Sequence, residues 1–101
     1  MFRWLFGGQQ HAVDRQKARK LLQSGAVLID VRTPGEFAAG HAAGSRNIPL
    51  DQLERHLSEL AARGKPIVAV CASGARSGTA VAMLRRQGIE AYNAGSWTNL
   101  R

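Results

Sequence analysis

Two short runs, Ala26-Val27-Leu28-Ile29 and Ile67-Val68-Ala69-Val70, are continuously apolar and rich in β-branched residues. That is the pattern of strands buried on both faces. Around them the apolar spacing changes to a helical one. Asp14 is a natural N-cap, and the segment after it places Ala18, Leu21 and Leu22 on one face before Gly25 ends it. His11-Ala12-Val13 ahead of it predicts a short edge strand. The first buried strand continues through Asp30-Val31-Arg32, and Thr33-Pro34-Gly35-Glu36 then has the form of a capping box with proline at the first helical position. Gly40 closes that short helix, and residues 40–44 are turn-like. Arg46 to Leu50 predicts a short strand broken at Pro49. Asp51 and Glu54 repeat the capping pattern, Leu53, Leu57 and Leu60 form a helical stripe, and Gly64 stops it. After the second buried strand, Ser77 to Gln87 predicts a helix with Ala80, Val81 and Leu84 inward, and Ile89 to Asn93 a last strand. Strands alternating with helices of this length predict an α/β fold: a small, mostly parallel sheet of four to five strands with helices on both faces. In such folds the site lies beyond the carboxyl ends of the strands.

Composition narrows the reading. The chain has 101 residues and no internal repeat, which fits one domain over residues 11–101 after an irregular apolar lead-in over residues 1–10. The lead-in (Phe2, Trp4, Leu5, Phe6) is far shorter than the roughly 20 residues of a membrane span and lacks a signal-peptide pattern. No membrane span is expected, and a cytoplasmic location follows by default. The formal charge of +7 favours anionic partners. The basic run from Arg15 to Lys20 has no interleaved aromatics, so nucleic acid is not expected. One cysteine excludes an internal disulfide and a multi-cysteine zinc site, and His11, His41 and His56 lack ligand spacing. No metal or other cofactor is expected. Residues 74–79 lack the Gly-Lys-Ser/Thr of a phosphate loop.

That one cysteine changes the picture most. Cys71 ends a buried strand and is followed by Ala72-Ser73-Gly74-Ala75-Arg76-Ser77, a short glycine-containing loop leading into a helix. A thiol there meets backbone N–H groups and the positive end of the helix, which lower a cysteine pKa and favour bound anions. Cys71 is therefore the candidate nucleophile. Residues 72–77 are the candidate anion-binding loop, with Ser73 and Ser77 adding hydroxyl donors. Asp30 and Arg32 are expected nearby as supporting residues; Arg32 and Arg46 are expected to pair with Asp30 or Glu36. The plainer alternative is a small apolar residue closing a buried strand.

Several stretches together resemble the single-domain rhodaneses, a family of thiosulfate and related sulfurtransferases. They are Leu28-Ile29-Asp30-Val31-Arg32-Thr33-Pro34-Gly35-Glu36-Phe37, residues 40–49, the loop Cys71 to Ser77, and Ala94-Gly95-Ser96-Trp97. The resemblance implies a Cys71 persulfide formed from a small anionic sulfur donor. The outer sulfur would then pass to cyanide, a small thiol or a protein thiol. The alternative it leaves is a non-catalytic module that binds a protein partner or an anion. Related folds with a Cys-x5-Arg loop cradle phosphate or arsenate; here Arg76 gives Cys-x4-Arg, a smaller ring suited to one sulfur. Ala42 and Ser45 depart from the family's usual residues without touching the chemistry. Ala75 stands where some thiosulfate users carry a second base, and the chain runs only four residues past Trp97, leaving one wall open or completed by a partner.

Overall fold

The computed structural model describes residues 11–101; the apolar lead-in over residues 1–10 lies outside them. Helix α1 (Arg15–Gln23) starts at Asp14, whose side chain accepts the Lys17 N–H at 2.9 Å. Strand β1 (Val27–Asp30), helix α2 (Pro34–Ala39) and a two-residue strand β2 (Arg46–Asn47) follow. A 3-10 helix (Leu50–His56) runs into α3 (Leu57–Arg63), then come β3 (Ile67–Cys71), α4 (Ala75–Arg86), β4 (Ala91–Ser96) and a terminal 3-10 turn (Trp97–Leu100). The four strands pair in parallel in the order β2-β1-β3-β4. This is the expected α/β architecture with four strands.

Side-chain alternation along the strands makes two apolar layers. Ile29, Val31, Ile67, Ala69, Cys71 and Ala91 point to the side of α3 and α4, where Leu53, Leu60, Ala80, Val81 and Leu84 complete the main core. Leu28, Val68, Val70 and Ala94 point the other way, toward Ala18 of α1 and the partly buried Trp97 and Leu100. Cys71 is thus a member of the larger core.

Five local expectations change. Residues 11–13 form only one bridge, Ala12 to Asn93, because the chain turns into α1 at once. The stripe at Leu53, Leu57 and Leu60 is real, but its first part is 3-10 and Asp51 caps nothing. The Leu50 N–H stays bonded to the Val31 carbonyl at 3.1 Å, and the Gln52 N–H reaches the Pro49 carbonyl at 2.8 Å, so the turn tightens. Strand β2 stops early because the chain leaves the ladder after the Ile48 N–H bond to the Asp30 carbonyl: the next inward N–H, that of Leu50, bonds to Val31 out of register as the 3-10 helix begins. Helix α4 begins at Ala75, two residues before the expected Ser77, because Gly74 adopts φ +103° and turns the chain straight into it. Strand β4 starts later and runs further than expected: the Ile89 N–H closes onto the Leu84 carbonyl, and Gly95 carries the strand on to Ser96.

Candidate active site

Cys71 is the last residue of β3, and its side chain points beneath the N-terminus of α4. Gly74 is what lets the chain turn back over it. At φ +103° a side chain is strained, and a Cβ there would come 3.3 Å from the Gly95 Cα. In this turn the Gly74 N–H donates to Cys71 Sγ at 3.0 Å, and the Ser77 hydroxyl lies 3.4 Å from the sulfur. Burial pushes the Cys71 thiol up; the Ser77 hydroxyl and the N–H groups of Ser77, Gly74 and Ser73 outweigh it, so the thiol sits below its ordinary range. Cys71 has no solvent exposure, whereas Ala72, Ser73 and Ala75 above it are exposed.

A buried asparagine that the sequence reading passed over organises this ring. Asn93 Nδ2 donates to the Gly74 carbonyl at 3.0 Å, while its Oδ1 accepts the Gly95 N–H at 2.9 Å and the Ser77 hydroxyl at 2.7 Å. It faces Ser77 because alternation along β4 puts it on the same face as Ala91, toward α4; β4 then gains a residue against β3 just beyond it, since Ala69 pairs with Asn93 but Cys71 pairs with Ser96. Such a bulge re-aims side chains at the end of a strand. The available signal was a polar residue at an inward position between Ala91 and Ala94, since buried polar groups need partners.

Arg76, the loop's cation, is gripped by Glu36. Its Nη1 and Nη2 donate to Glu36 Oε1 and Oε2 at 2.7 and 3.0 Å. The Arg76 guanidinium, followed by the Thr33 N–H, holds the Glu36 carboxyl down at about 2. Glu36 also completes the expected capping box with Thr33. Sequence alone gave it only that local role, because spacing does not announce a partner 40 residues away.

Asp30 and Arg32 pair with each other on the opposite sheet face from Cys71. Arg32 Nη2 lies 2.8 Å from Asp30 Oδ2, both side chains are buried, and the guanidinium stacks 4.6 Å from the Trp97 ring. Arg32 also donates to the carbonyls of Glu36 and Gly40, which ties α2 to the end of β1. Trp97 meets Gly40 and Arg32 there. His41 stacks on Phe37 and donates through Nδ1 to the Phe37 carbonyl. Arg46 does not reach Asp30 or Glu36: it forms a bidentate pair with Glu59 of α3 at 2.7 and 2.8 Å. Beside the loop, Val31, Thr33, Pro49, Leu50, Asp51 and Arg76 line an open pocket of about 330 Å³.

The rhodanese-like domain family model matches residues 14–100. The chain belongs to the rhodanese family. Thiosulfate sulfurtransferase GlpE of Ectopseudomonas mendocina is 35% identical over 82 residues, covering 80% of this chain and 74% of that protein. The uncharacterized protein YqhL of Bacillus subtilis is 48% identical over 69 residues, 67% of this rhodanese but only 54% of YqhL. The human single-domain sulfurtransferase TSTD1 shares the fold with a TM-score of 0.70 and 35% identity, over 88% of this chain and 93% of TSTD1. Among the described residues of this rhodanese, no helix is long and apolar enough to cross a membrane.

Proposed function

We propose that this rhodanese is a sulfurtransferase that carries a sulfane sulfur on Cys71. The observation behind it is the Gly74 N–H at 3.0 Å from a sulfur whose pKa is lowered by surrounding donors. The Cys71 thiolate attacks the outer sulfur of a donor such as thiosulfate. The donor S–S bond breaks, sulfite leaves with its electron pair, and Cys71–S–S⁻ remains. Cyanide then takes the outer sulfur as thiocyanate, or a thiolate takes it as a persulfide, and the Cys71 thiolate returns. This is covalent catalysis in two half-reactions. The anionic sulfur is met by preformed N–H dipoles, which need no reorganisation during the reaction. Activation is electrostatic, with Cys71 as nucleophile, residues 72–77 as the anion-binding loop, and Asp30 and Arg32 as supports. Relatives named thiosulfate sulfurtransferase support the assignment. A reducing compartment such as the cytoplasm would keep the single thiol free.

The full burial of Cys71 favours a second reading, a non-catalytic module that binds a partner or an anion. Intact mass after incubation with thiosulfate separates the two. Wild type is expected to gain one sulfur atom that cyanide removes, and Cys71→Ser to gain none. Absence of any gain, with thiosulfate and with a small persulfide donor, would falsify the enzyme reading.

A further inference from the structure

We propose that Glu36 sets donor specificity by holding the Arg76 guanidinium, so that the loop disfavours the thiosulfate dianion relative to sulfur donors of lower charge. The proposal rests on the sulfurtransferase reading and concerns which donor that site takes. Arg76 is the only cation in the loop, and its end-on fork is filled by both Glu36 oxygens. A donor oxyanion that approached this fork would have to displace a carboxylate matched to it in shape and charge. Glu36 is ionised at any pH where thiol chemistry runs, since its carboxyl is held at about 2.

Among the described residues, no other charged side chain adds an unbalanced cation beside the pair. Arg32 is balanced by Asp30 on the far sheet face. The pocket that shares Arg76 is walled by apolar Val31, Pro49 and Leu50, and the one ionisable residue it adds is the acidic Asp51. Arg76, Glu36 and Asp51 together sum to one negative formal charge. The exposed cations Arg15, Lys17, Arg19 and Lys20 ride on α1, which packs on the other face of the sheet from Cys71. Arg85 and Arg86 lie in the last turn of α4, away from the loop. None of these helix cations donates a hydrogen bond to a loop residue or to Glu36, and solvent-exposed charges are screened at physiological salt. The positive balance of the whole protein is therefore not the balance that a donor meets.

The test is steady-state sulfur transfer to cyanide from thiosulfate, a dianion, and from methanethiosulfonate, a monoanion. Each gives its outer sulfur to Cys71 and leaves as sulfite or methanesulfinate. Glu36→Gln removes the charge and retains a side chain that completes the capping box. It is expected to raise kcat/KM for thiosulfate roughly four- to tenfold and for the monoanion roughly two- to threefold, with gains that shrink in added salt. The thiosulfate gain should appear in KM and vanish in an Arg76→Met background. If the glutamine variant fails to fold, wild type decides: added salt should raise kcat/KM for thiosulfate more than for the monoanion, and an equal change or a fall overturns the proposal. Equal gains for both donors, no gain, or a gain that persists without Arg76 overturns the proposal while leaving the sulfurtransferase reading standing. If no donor loads Cys71 in any of these proteins, both fall together.

Discussion

The hydroxyl hydrogen of Ser77 has two acceptors within reach, Asn93 Oδ1 at 2.7 Å and Cys71 Sγ at 3.4 Å. A serine has one such hydrogen to give. Asn93 cannot turn away, because its amide is pinned by Gly74 and Gly95. With a neutral thiol the shorter contact wins; once the sulfur is anionic it competes for the hydrogen. Ser77→Ala removes a donor that lowers the Cys71 pKa, so the thiolate becomes less favoured and that pKa rises. Sulfur loading below the midpoint should slow by roughly three- to tenfold, the worth of one hydrogen bond, and recover at high pH. A rate–pH profile of persulfide formation checks this; an unshifted midpoint would separate Ser77 from the thiol. The sequence marked Ser77 as a donor beside Cys71, and its hydroxyl lies 3.4 Å from the sulfur. It did not reveal Asn93 or the grip of Glu36 on Arg76. Both depend on where β4 and α2 end up, which no local pattern encodes.

At the scale of the element, α2 is the least self-sufficient part of the site. It has six residues, none of them buried, and helices this short do not persist alone. Its capping box satisfies one end, Arg32 takes up the Glu36 and Gly40 carbonyls, and Glu36 reaches across to Arg76. Removing Arg32 would both loosen α2 and strand a buried carboxylate. Arg32→Ala should therefore cost about 3–5 kcal/mol of stability by denaturant titration. A loss under about 1 kcal/mol, the value typical of surface pairs, would show that Asp30 is relieved some other way. Boundaries were legible where a residue acts on its own neighbours: Thr33 with Glu36, Asp14 with Lys17, and Gly64 at φ +67°. They were illegible where tertiary contacts decide. The Leu50 N–H is held by β1, and Gly95, which locally resembles a strand breaker, serves a bulge instead.

Across the molecule, 7 acidic residues stand against 14 basic ones, so each carboxylate that holds an arginine matters more than its exposure suggests. Glu59 binds Arg46 and Arg63 and lies 3.5 Å from His56, and Glu36 binds Arg76. The Arg46 contact brings the Glu59 carboxyl down to about 2, as Arg76 does for Glu36. In the unfolded chain both return toward 4.5 and bind protons there first. Their contribution is thus present above about 4.5 and lost as pH falls toward 2. Melting temperature should decline through that window, less steeply for Glu59→Gln than for wild type. High salt should flatten the decline, because both carboxylates are partly exposed. A melting temperature flat across the window would show that the two carboxyls titrate alike in the folded and unfolded chain, and would remove these pairs from the acid response.

Cys71 belongs to the same buried cluster as Val81, Ala80 and Ala69, so no shell of intermediary residues separates the reactive atom from the packing that stabilises the fold. One consequence concerns inheritance. A substitution at Val81 that loosened this cluster would reach the sulfur directly, and folding yield and turnover would decline together. Natural selection on folding alone would then hold the packing around the sulfur, even in lineages that had abandoned the chemistry.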